Sequence, residues 1–184
     1  GQVNGPLNSL MKARPMLELC LKVQDDFGCD MSDCWYVMGL LYNQLPGSPI
    51  SFGNKEYAIS YMRRCIDTQD TANRLNLANY LELAQQLHDR NWDAGKRTRE
   101  LDRMKASYDS NTVPSEKMKF YEGKDGSSGR PFYSTVTLGS MSDAQEAVML
   151  CQYALALYSI WPEPLASDDE RKAEIEGFLG RITK

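Results

Sequence analysis

The sequence contains one histidine, His88, so every imidazole-dependent mechanism would have to rely on that residue. No segment approaches the roughly 18 consecutive apolar residues of a membrane-spanning helix, so no transmembrane segment is expected. The cysteines include no Cys-x-x-Cys pair, which excludes a zinc knuckle and a thioredoxin-type redox motif. A formal net charge of −4 gives no electrostatic reason to expect a nucleic-acid partner. These absences argue against several common classes of function.

The composition is that of an ordinary folded protein, with 42% hydrophobic and 25% charged residues. A length of 184 residues fits one domain. The sequence begins with Gly1 and not with Met, which we interpret as a trimmed chain that has lost an export signal or was cut from a longer protein. We therefore expect a periplasmic or secreted location, with the cytoplasm as the alternative. Cys29 and Cys34 flank a predicted loop, and whether they are bridged stays open.

One helical face occurs twice in the first half of the chain. The segment ARPMLELCLKVQD begins at Ala13, and AISYMRRCIDTQD begins at Ala58. Each places a small, a large and a small residue at helical spacing, namely Ala13, Leu17 and Cys20 in the first copy and Ala58, Met62 and Cys65 in the second. The recurrence indicates a helical repeat.

The stretch CWYVMGLLYNQ, between these copies, carries Trp35, Met38, Gly39 and Tyr42. A glycine within a helix costs about 1 kcal/mol relative to alanine, so close packing is expected to offset it. With Ala58-x3-Met62 downstream, the stretch resembles the tetratricopeptide repeat (TPR), which reads W-x2-L-G-x2-Y and then A-x3-F. The resemblance implies that Gly39 lets the partner helix approach at Ala58. It covers roughly residues 10–105 and, more loosely, residues 142–183.

A weaker third unit and a final pair of helices extend the pattern. The third unit would pair a helix carrying Leu77, Ala78 and Leu81 with one carrying Ala94, Thr98 and Leu101. The final pair, in residues 142–183, would begin at capping boxes at Ser142 and Ser167. We therefore predict a mainly α fold of stacked antiparallel helical hairpins, forming a single TPR-like domain over residues 1–184.

One segment departs from the helical pattern. Residues 107–139 are interpreted as an inserted linker and β-hairpin, with two strands over residues 117–138 around a Gly/Ser loop. Phe132, Ser134, Val136 and Leu138 would share one face of the second strand. An isolated hairpin is marginal in water, so it is expected to rest on the helices or on a partner. The role of this hairpin stays open.

The resemblance implies a concave surface, lined by the first helix of each repeat, that binds peptides or protein segments. The predicted peptide-binding groove consists of Tyr36, Leu40, Asn43, Gln44, Asn79 and Glu82. Amides and a tyrosine can hydrogen-bond a peptide backbone and also offer apolar contact. A basic stripe at helical spacing is the second candidate surface, formed by Lys96, Arg99 and Arg103. Its alternatives are a solvated face, an acidic peptide partner or docking of the acidic final helix.

Catalytic and metal motifs are weak. Asp89, Asn91, Asp93 and Glu100 match four places of an EF-hand loop, but Ala94 stands where the sharp turn needs glycine. Neither the Gly/Ser loop nor the surroundings of His88 matches a phosphate-binding or catalytic motif. Carboxylates near helix starts, such as Asp143 and Glu146, favour the helix macrodipole without a catalytic role. We therefore assign no catalytic residue, metal or cofactor.

The predicted function is non-catalytic protein or peptide binding, in a scaffold that is part of a cell-envelope assembly. The alternative is an enzyme or small-ligand binder with a site between the β-hairpin and the helices. That site would use Tyr121, Arg130, Tyr133 or His88. The sequence leaves the identity of the partner and the oligomeric state open.

Overall fold

The structure is a computed structural model that describes residues 12–22, 32–124 and 140–184. Residues 12–22 are helical and are called α1; the helices that follow are α2 (Ser32–Gln44), α3 (Lys55–Thr68), α4 (Leu77–Arg90), α5 (Ala94–Ser110), α6 (Pro114–Met118), α7 (Asp143–Ile160) and α8 (Ala166–Ile182). A 3₁₀ turn over Tyr121–Gly123 follows α6. These described residues contain no strand. The predicted mainly α class is confirmed.

Helices α2 and α3 pack against each other along their length. Trp35 stacks on Tyr61 with ring centroids 5.8 Å apart, while Gly39 meets Ala58, so the two helices run antiparallel. A Cβ atom on Gly39 would lie 2.6 Å from Sδ of Met62 and 3.3 Å from the carbonyl oxygen of Ala58. A larger residue would therefore push against α3. The predicted close approach at Gly39 is confirmed.

Helix α4 packs on α3 and, more extensively, on α7. Tyr80 contacts Tyr153 with ring centroids 5.5 Å apart, and Arg90 hydrogen-bonds Asp143, so α4 and α7 run antiparallel. Although α4 and α5 are both fully described, they do not pack side by side. The predicted hairpin of α4 with α5 is therefore wrong. The predicted final pair, α7 with α8, is present.

The chain leaves the end of α4 and returns to the same place at the start of α7. The backbone N–H of Asp143 donates to the carbonyl oxygen of Trp92 at 2.9 Å. The N–H of Trp92 donates to Oδ2 of Asp143, also at 2.9 Å. The excursion between them, residues 93–142, begins before the predicted insertion of residues 107–139. We call it the inserted segment.

The first strand of the predicted β-hairpin is wrong. Residues 117–124 instead form the end of α6 and the 3₁₀ turn. The side chains of Tyr121 and Glu122 are buried, and a Cβ atom on Gly123 would lie 2.3 Å from the backbone nitrogen of Lys105. Because three consecutive residues pack inward, this stretch does not alternate as a strand would. The second predicted strand lies outside the described residues.

Two hydrophobic clusters form the core. One lies among α3, α4, α7 and α8, and the other among α1, α2 and α3. Tyr36 packs against both clusters, so it marks their junction.

One of the two predicted capping boxes is confirmed. At the start of α7, Oγ of Ser142 accepts from the N–H of Gln145, and the side chain of Gln145 accepts from the N–H of Ser142. The box predicted at Ser167 is wrong, because α8 begins at Ala166. There a carboxylate oxygen of Asp168 accepts from the N–H of Leu165 at 2.8 Å.

Candidate functional site

Helices α2, α4 and α8 contribute side chains to one surface around Tyr36. Tyr36 is half-buried, and burial raises the pKa of its hydroxyl. The Glu82 and Glu174 carboxylates also raise this pKa, whereas the Arg171 guanidinium lowers it. These charges come from α4 and α8, and Tyr36 packs against the hydrophobic cluster to which both helices contribute. We call this the α2/α4/α8 surface, defined by Tyr36, Glu82, Arg171 and Glu174.

The other predicted groove residues on α2 extend this surface along the helix. Leu40 and Asn43 are half-buried, and Gln44 is exposed. They follow Tyr36 at helical spacing and therefore lie on the same side of α2. The four α2 residues predicted from the sequence thus share one face.

The two predicted groove residues on α4 differ in their surroundings. Glu82 is half-buried and accepts a hydrogen bond from Nε2 of Gln86 at 2.8 Å. Asn79 is only 7% exposed, and its Nδ2 donates to Oε1 of Gln69 at 2.7 Å. Asn79 therefore ties α4 to the end of α3, whereas Glu82 is bonded within its own helix and its charge acts on Tyr36.

A pocket of about 430 Å³ adjoins the surface where α4 and α8 begin. It lies between the α3–α4 connection and the α7–α8 connection, and its walls are Asn73, Arg74, Leu75, Asn76, Leu77, Ala78, Trp161, Glu163, Leu165, Ser167, Asp168 and Arg171. Arg171 belongs both to this wall and to the surroundings of Tyr36. Arg171 is thus the residue that the pocket shares with the α2/α4/α8 surface, and we call the pocket the end pocket.

Apolar and charged groups both surround the end pocket. Leu165, in the wall of the pocket, is 68% exposed. Arg74 pairs with Asp33 of α2 at 3.3 Å, and Arg171 pairs with Glu174 at 2.5 Å. Exposed pairs of this kind are weak and can exchange partners. The pocket can therefore take an apolar side chain next to polar backbone or charge.

Six charged side chains are buried where α3, α4, α5, α7 and the 3₁₀ turn meet. They are Arg63, Arg90, Arg97, Glu122, Asp143 and Glu146, which we call the buried charge cluster. Their side chains are between 0% and 3% exposed. Three guanidinium groups face three carboxylates, so the formal charges balance. Of these residues, the sequence had singled out Asp143 and Glu146, as carboxylates that favour the helix macrodipole.

Glu122 brings the inserted segment into this cluster. Its Oε1 accepts from Nη2 of Arg63 and from Nη2 of Arg90, both at 2.9 Å, and its Oε2 accepts from Nη1 of Arg90 at 2.6 Å. Burial alone would raise the pKa of Glu122, but the charges of Arg90 and Arg63 outweigh it and lower the pKa to about 2. Glu122 is therefore ionised at neutral pH.

The two carboxylates of α7 complete the cluster. Glu146 accepts from Nη1 of Arg63 at 2.6 Å and also from Nη2 of Arg97. Asp143 accepts from Nε and Nη2 of Arg90, each at 2.8 Å. Each carboxylate is thus held by arginines, which is the arrangement of a structural ion-pair network and not of a catalytic acid–base pair.

The predicted basic stripe lies on α5. Lys96, Arg99 and Arg103 are all exposed, whereas Arg97 between them belongs to the buried charge cluster. Arg103 pairs with Glu56 at 2.7 Å and with Glu100 at 2.8 Å. Part of the positive charge of the stripe is therefore already offset within the chain.

The residues of the alternative site do not converge among the described residues. The hydroxyl of Tyr121 donates to Asp67, and burial with the Asp67 charge raises the pKa of Tyr121 to about 12. His88 packs edge-on against Phe178 of α8, with ring centroids 5.7 Å apart. Arg130 and Tyr133 lie outside the described residues.

The segment with partial EF-hand spacing is a tight connection between α4 and α5. Asn91 adopts the left-handed conformation with φ of 53° and ends α4, and Asp93 caps α5 by accepting from the N–H of Lys96. Across the described parts of the chain, no group of three His, Cys, Asp or Glu residues is placed to hold a metal ion. Cys34 is a free thiol, and Cys29 lies outside the described residues.

In the described ranges, no helix is both long enough and apolar enough to span a bilayer. No protein-family model matches the chain, and comparisons with curated proteins and with solved structures give no match. The resemblance to the tetratricopeptide repeat therefore stays a prediction from the sequence.

Proposed function

We propose that this protein is a non-catalytic scaffold of TPR-like type that binds a peptide or protein segment on the α2/α4/α8 surface. The observation that supports the proposal is that half-buried Tyr36 packs against the hydrophobic cluster shared by α4 and α8, while Arg171 of α8 lines the end pocket. Tyrosine and arginine are enriched where binding energy is concentrated in protein interfaces. A tyrosine offers apolar contact and a hydroxyl at a low entropy cost.

The end pocket supports a specific kind of ligand. Leu75, Leu77 and Trp161 give it apolar walls, and its volume of about 430 Å³ admits a large side chain. A bound segment would place an aromatic or large aliphatic residue there and run along α2 past Tyr36. Leu40, Asn43 and Gln44 would then contact the rest of the segment. Asn79 is not part of this site, because its amide bonds Gln69.

The alternative of an enzyme or small-ligand site between the insertion and the helices has less support. Tyr121 and His88, its described members, are engaged with Asp67 and Phe178. A place in a cell-envelope assembly, in the periplasm or outside the cell, stays a prediction from the sequence. Fractionation of the source cells with an antibody to the protein tests it.

The proposal is tested by selecting peptides from a displayed random library on the wild-type protein and measuring their dissociation constants by calorimetry. Tyr36→Ala combined with Arg171→Glu should weaken the selected peptides roughly thirtyfold or more. Gln152→Ala, at an exposed position on α7, is the matched control and should leave affinity unchanged. Circular dichroism and melting temperature establish that each variant is folded.

Glu82→Lys, at a half-buried position, supplies an independent variant in case the double substitution does not fold. Selected peptides should share a large apolar residue if the end pocket is the anchor. Peptides that bind all the surface variants as well as wild type would place the binding site elsewhere and refute the proposal.

A further inference from the structure

A second cleft lies beside the α2/α3 pair, where α1 and α6 approach it. Its volume is about 450 Å³, within the range of small-molecule sites in proteins. Its walls are Glu18, Leu19, Leu21, Lys22, Trp35, Met38, Tyr61, Val113, Pro114, Ser115 and Met118. None of these residues belongs to the α2/α4/α8 surface. We call it the α1/α6 cleft.

The interior of this cleft is apolar. Its floor is formed by Trp35, Met38 and Tyr61, which belong to the hydrophobic cluster of α1, α2 and α3. The hydroxyl of Tyr61 is hydrogen-bonded to Tyr42, so it does not require a polar ligand. At the rim, Leu19 is 63% exposed and Val113 is 52% exposed. Such a lining favours an aliphatic occupant.

Two charged residues, Glu18 and Lys22, lie at the cleft. The carboxylate of Glu18 is paired with Nε of Arg14 at 2.8 Å. Lys22 also lies at the cleft, is exposed, and forms no ion pair with any residue that the structure describes. Among the described residues, the ammonium group of Lys22 is therefore left to complement an anionic ligand group beside the apolar interior.

A volume of about 450 Å³ is ample for one aliphatic chain. An unbranched chain can enter the cleft, and the side chain of Met118 in its wall can adapt to such a chain.

We propose that the α1/α6 cleft binds an amphiphile with one aliphatic chain and a carboxylate head, the chain against Trp35 and Met38 and the carboxylate on Lys22. This inference does not depend on the proposed function, because it uses other residues and another face of the molecule. The two can therefore succeed or fail separately.

The test is calorimetric titration of the wild-type protein with octanoate, decanoate and dodecanoate below their micelle concentrations. Binding should be saturable, with one site per chain. Each added methylene should lower the dissociation constant roughly fourfold until the cleft is filled. Dodecanoate brominated at the chain end should quench the fluorescence of Trp35, measured in a variant with Trp92→Phe and Trp161→Phe.

Two variants locate the site. Lys22→Glu should weaken dodecanoate at least tenfold and leave dodecanol binding unchanged, whereas Lys12→Glu, an exposed position on the same helix, is the matched control. Val113→Trp at the rim should reduce binding of both ligands by occupying the mouth. Because Val113 is exposed, its substitution should be compatible with folding, and a melting temperature checks this.

Three results would overturn the proposal. They are no saturable binding of dodecanoate at millimolar concentration, equal effects of Lys22→Glu and Lys12→Glu, and dodecyltrimethylammonium binding as tightly as dodecanoate. Binding of an acidic amphipathic peptide at the cleft, with no binding of dodecanoate, would also contradict the proposal and would favour a protein partner there.

Discussion

Trp92 and Asp143 are joined by two hydrogen bonds, one in each direction, although the inserted segment separates them in sequence. The guanidinium of Arg90, 3.9 Å from the centroid of the Trp92 ring, also binds the Asp143 carboxylate. The ends of the inserted segment are therefore fixed to each other. This contact makes α4 and α7 neighbours and lets them pack as a helical pair.

The buried charge cluster then holds the inserted segment against the pair. Arg63 of α3 binds Glu122 of the inserted segment and Glu146 of α7. Arg97 of the inserted segment also binds Glu146. A buried ion-pair network contributes little stability relative to an apolar core, but removal of one partner is costly. Its evident role is to specify one arrangement of α3, α7 and the inserted segment.

The first prediction concerns Glu122. Glu122→Gln should lower the free energy of unfolding by about 3–5 kcal/mol, because it leaves Arg63 and Arg90 without a full complement of charge in a buried site. Asp109→Asn, in the same segment, removes only an exposed pair with Lys105 and should cost less than about 1 kcal/mol. Urea unfolding of the two variants checks this difference. Equal midpoints would show that the cluster does not have this role.

The second prediction is the acid dependence that Glu122 confers. Its pKa is lowered to about 2 from an ordinary value of 4.5, so the folded state binds the proton more weakly than the unfolded state. The stabilisation is thus fully present above about pH 4.5 and is lost as the pH falls toward 2. The loss should amount to about 3 kcal/mol. Urea unfolding at a series of pH values measures it, and Glu122→Gln should lack this component.

The third prediction compares two glycines within helices. Gly180 of α8 has no atom within 4 Å of an added Cβ, whereas the Cβ on Gly39 would lie 2.6 Å from Sδ of Met62. Gly180→Ala should therefore stabilise the protein by up to about 1 kcal/mol through helix propensity. Gly39→Ala should give no such gain, and Gly39→Leu should destabilise the protein by at least about 1–3 kcal/mol. Melting temperatures are the readout; a Gly39→Leu protein that melts like wild type would contradict the close packing of α2 on α3.

The fourth prediction concerns docking of the 3₁₀ turn. A Cβ on Gly123 would lie 2.3 Å from the nitrogen of Lys105 and 2.4 Å from the carbonyl carbon of Met104, and backbone atoms cannot move aside cheaply. Gly123→Ala should therefore speed amide hydrogen exchange in α5 and α6. Gly95→Ala, whose Cβ would meet Asp93 at an ordinary 3.4 Å, is the control. Unchanged exchange in both variants would argue against tight docking of the turn.

Local patterns in the sequence predict the helices better than their partners. The Trp35, Gly39 and Ala58 pattern correctly predicts the α2/α3 pair, because two consecutive helices that approach closely need small residues at the contact. The α4/α7 pair has no such pattern, since the inserted segment separates its two helices in the sequence. The expected β-hairpin failed at residues 117–124 because burial of Tyr121 and Glu122 together outweighed strand propensity.

Two members of the buried charge cluster can be recognised in the sequence, although their carboxylates were assigned there to the helix macrodipole. Asp143 and Glu146 continue the buried stripe of Ala147, Leu150 and Ala154 on α7. A carboxylate in line with a core stripe needs a buried cationic partner. Which arginine meets it depends on tertiary packing and is not fixed by local spacing. On the proposed binding surface, the face of α2 containing Tyr36 was found from spacing, but Arg171 and the end pocket depend on how α8 packs.

The most direct test of the proposed binding surface is photocrosslinking in the source cells with benzoylphenylalanine placed at Tyr36, with Gln152 as the matched position on α7. Each substituted protein is first shown to melt like wild type. The account predicts a discrete crosslinked protein from position 36, absent at position 152, with the attachment mapped to a segment containing a large apolar residue. Crosslinks only from position 152, or none from position 36 in a folded protein, would contradict binding at the α2/α4/α8 surface.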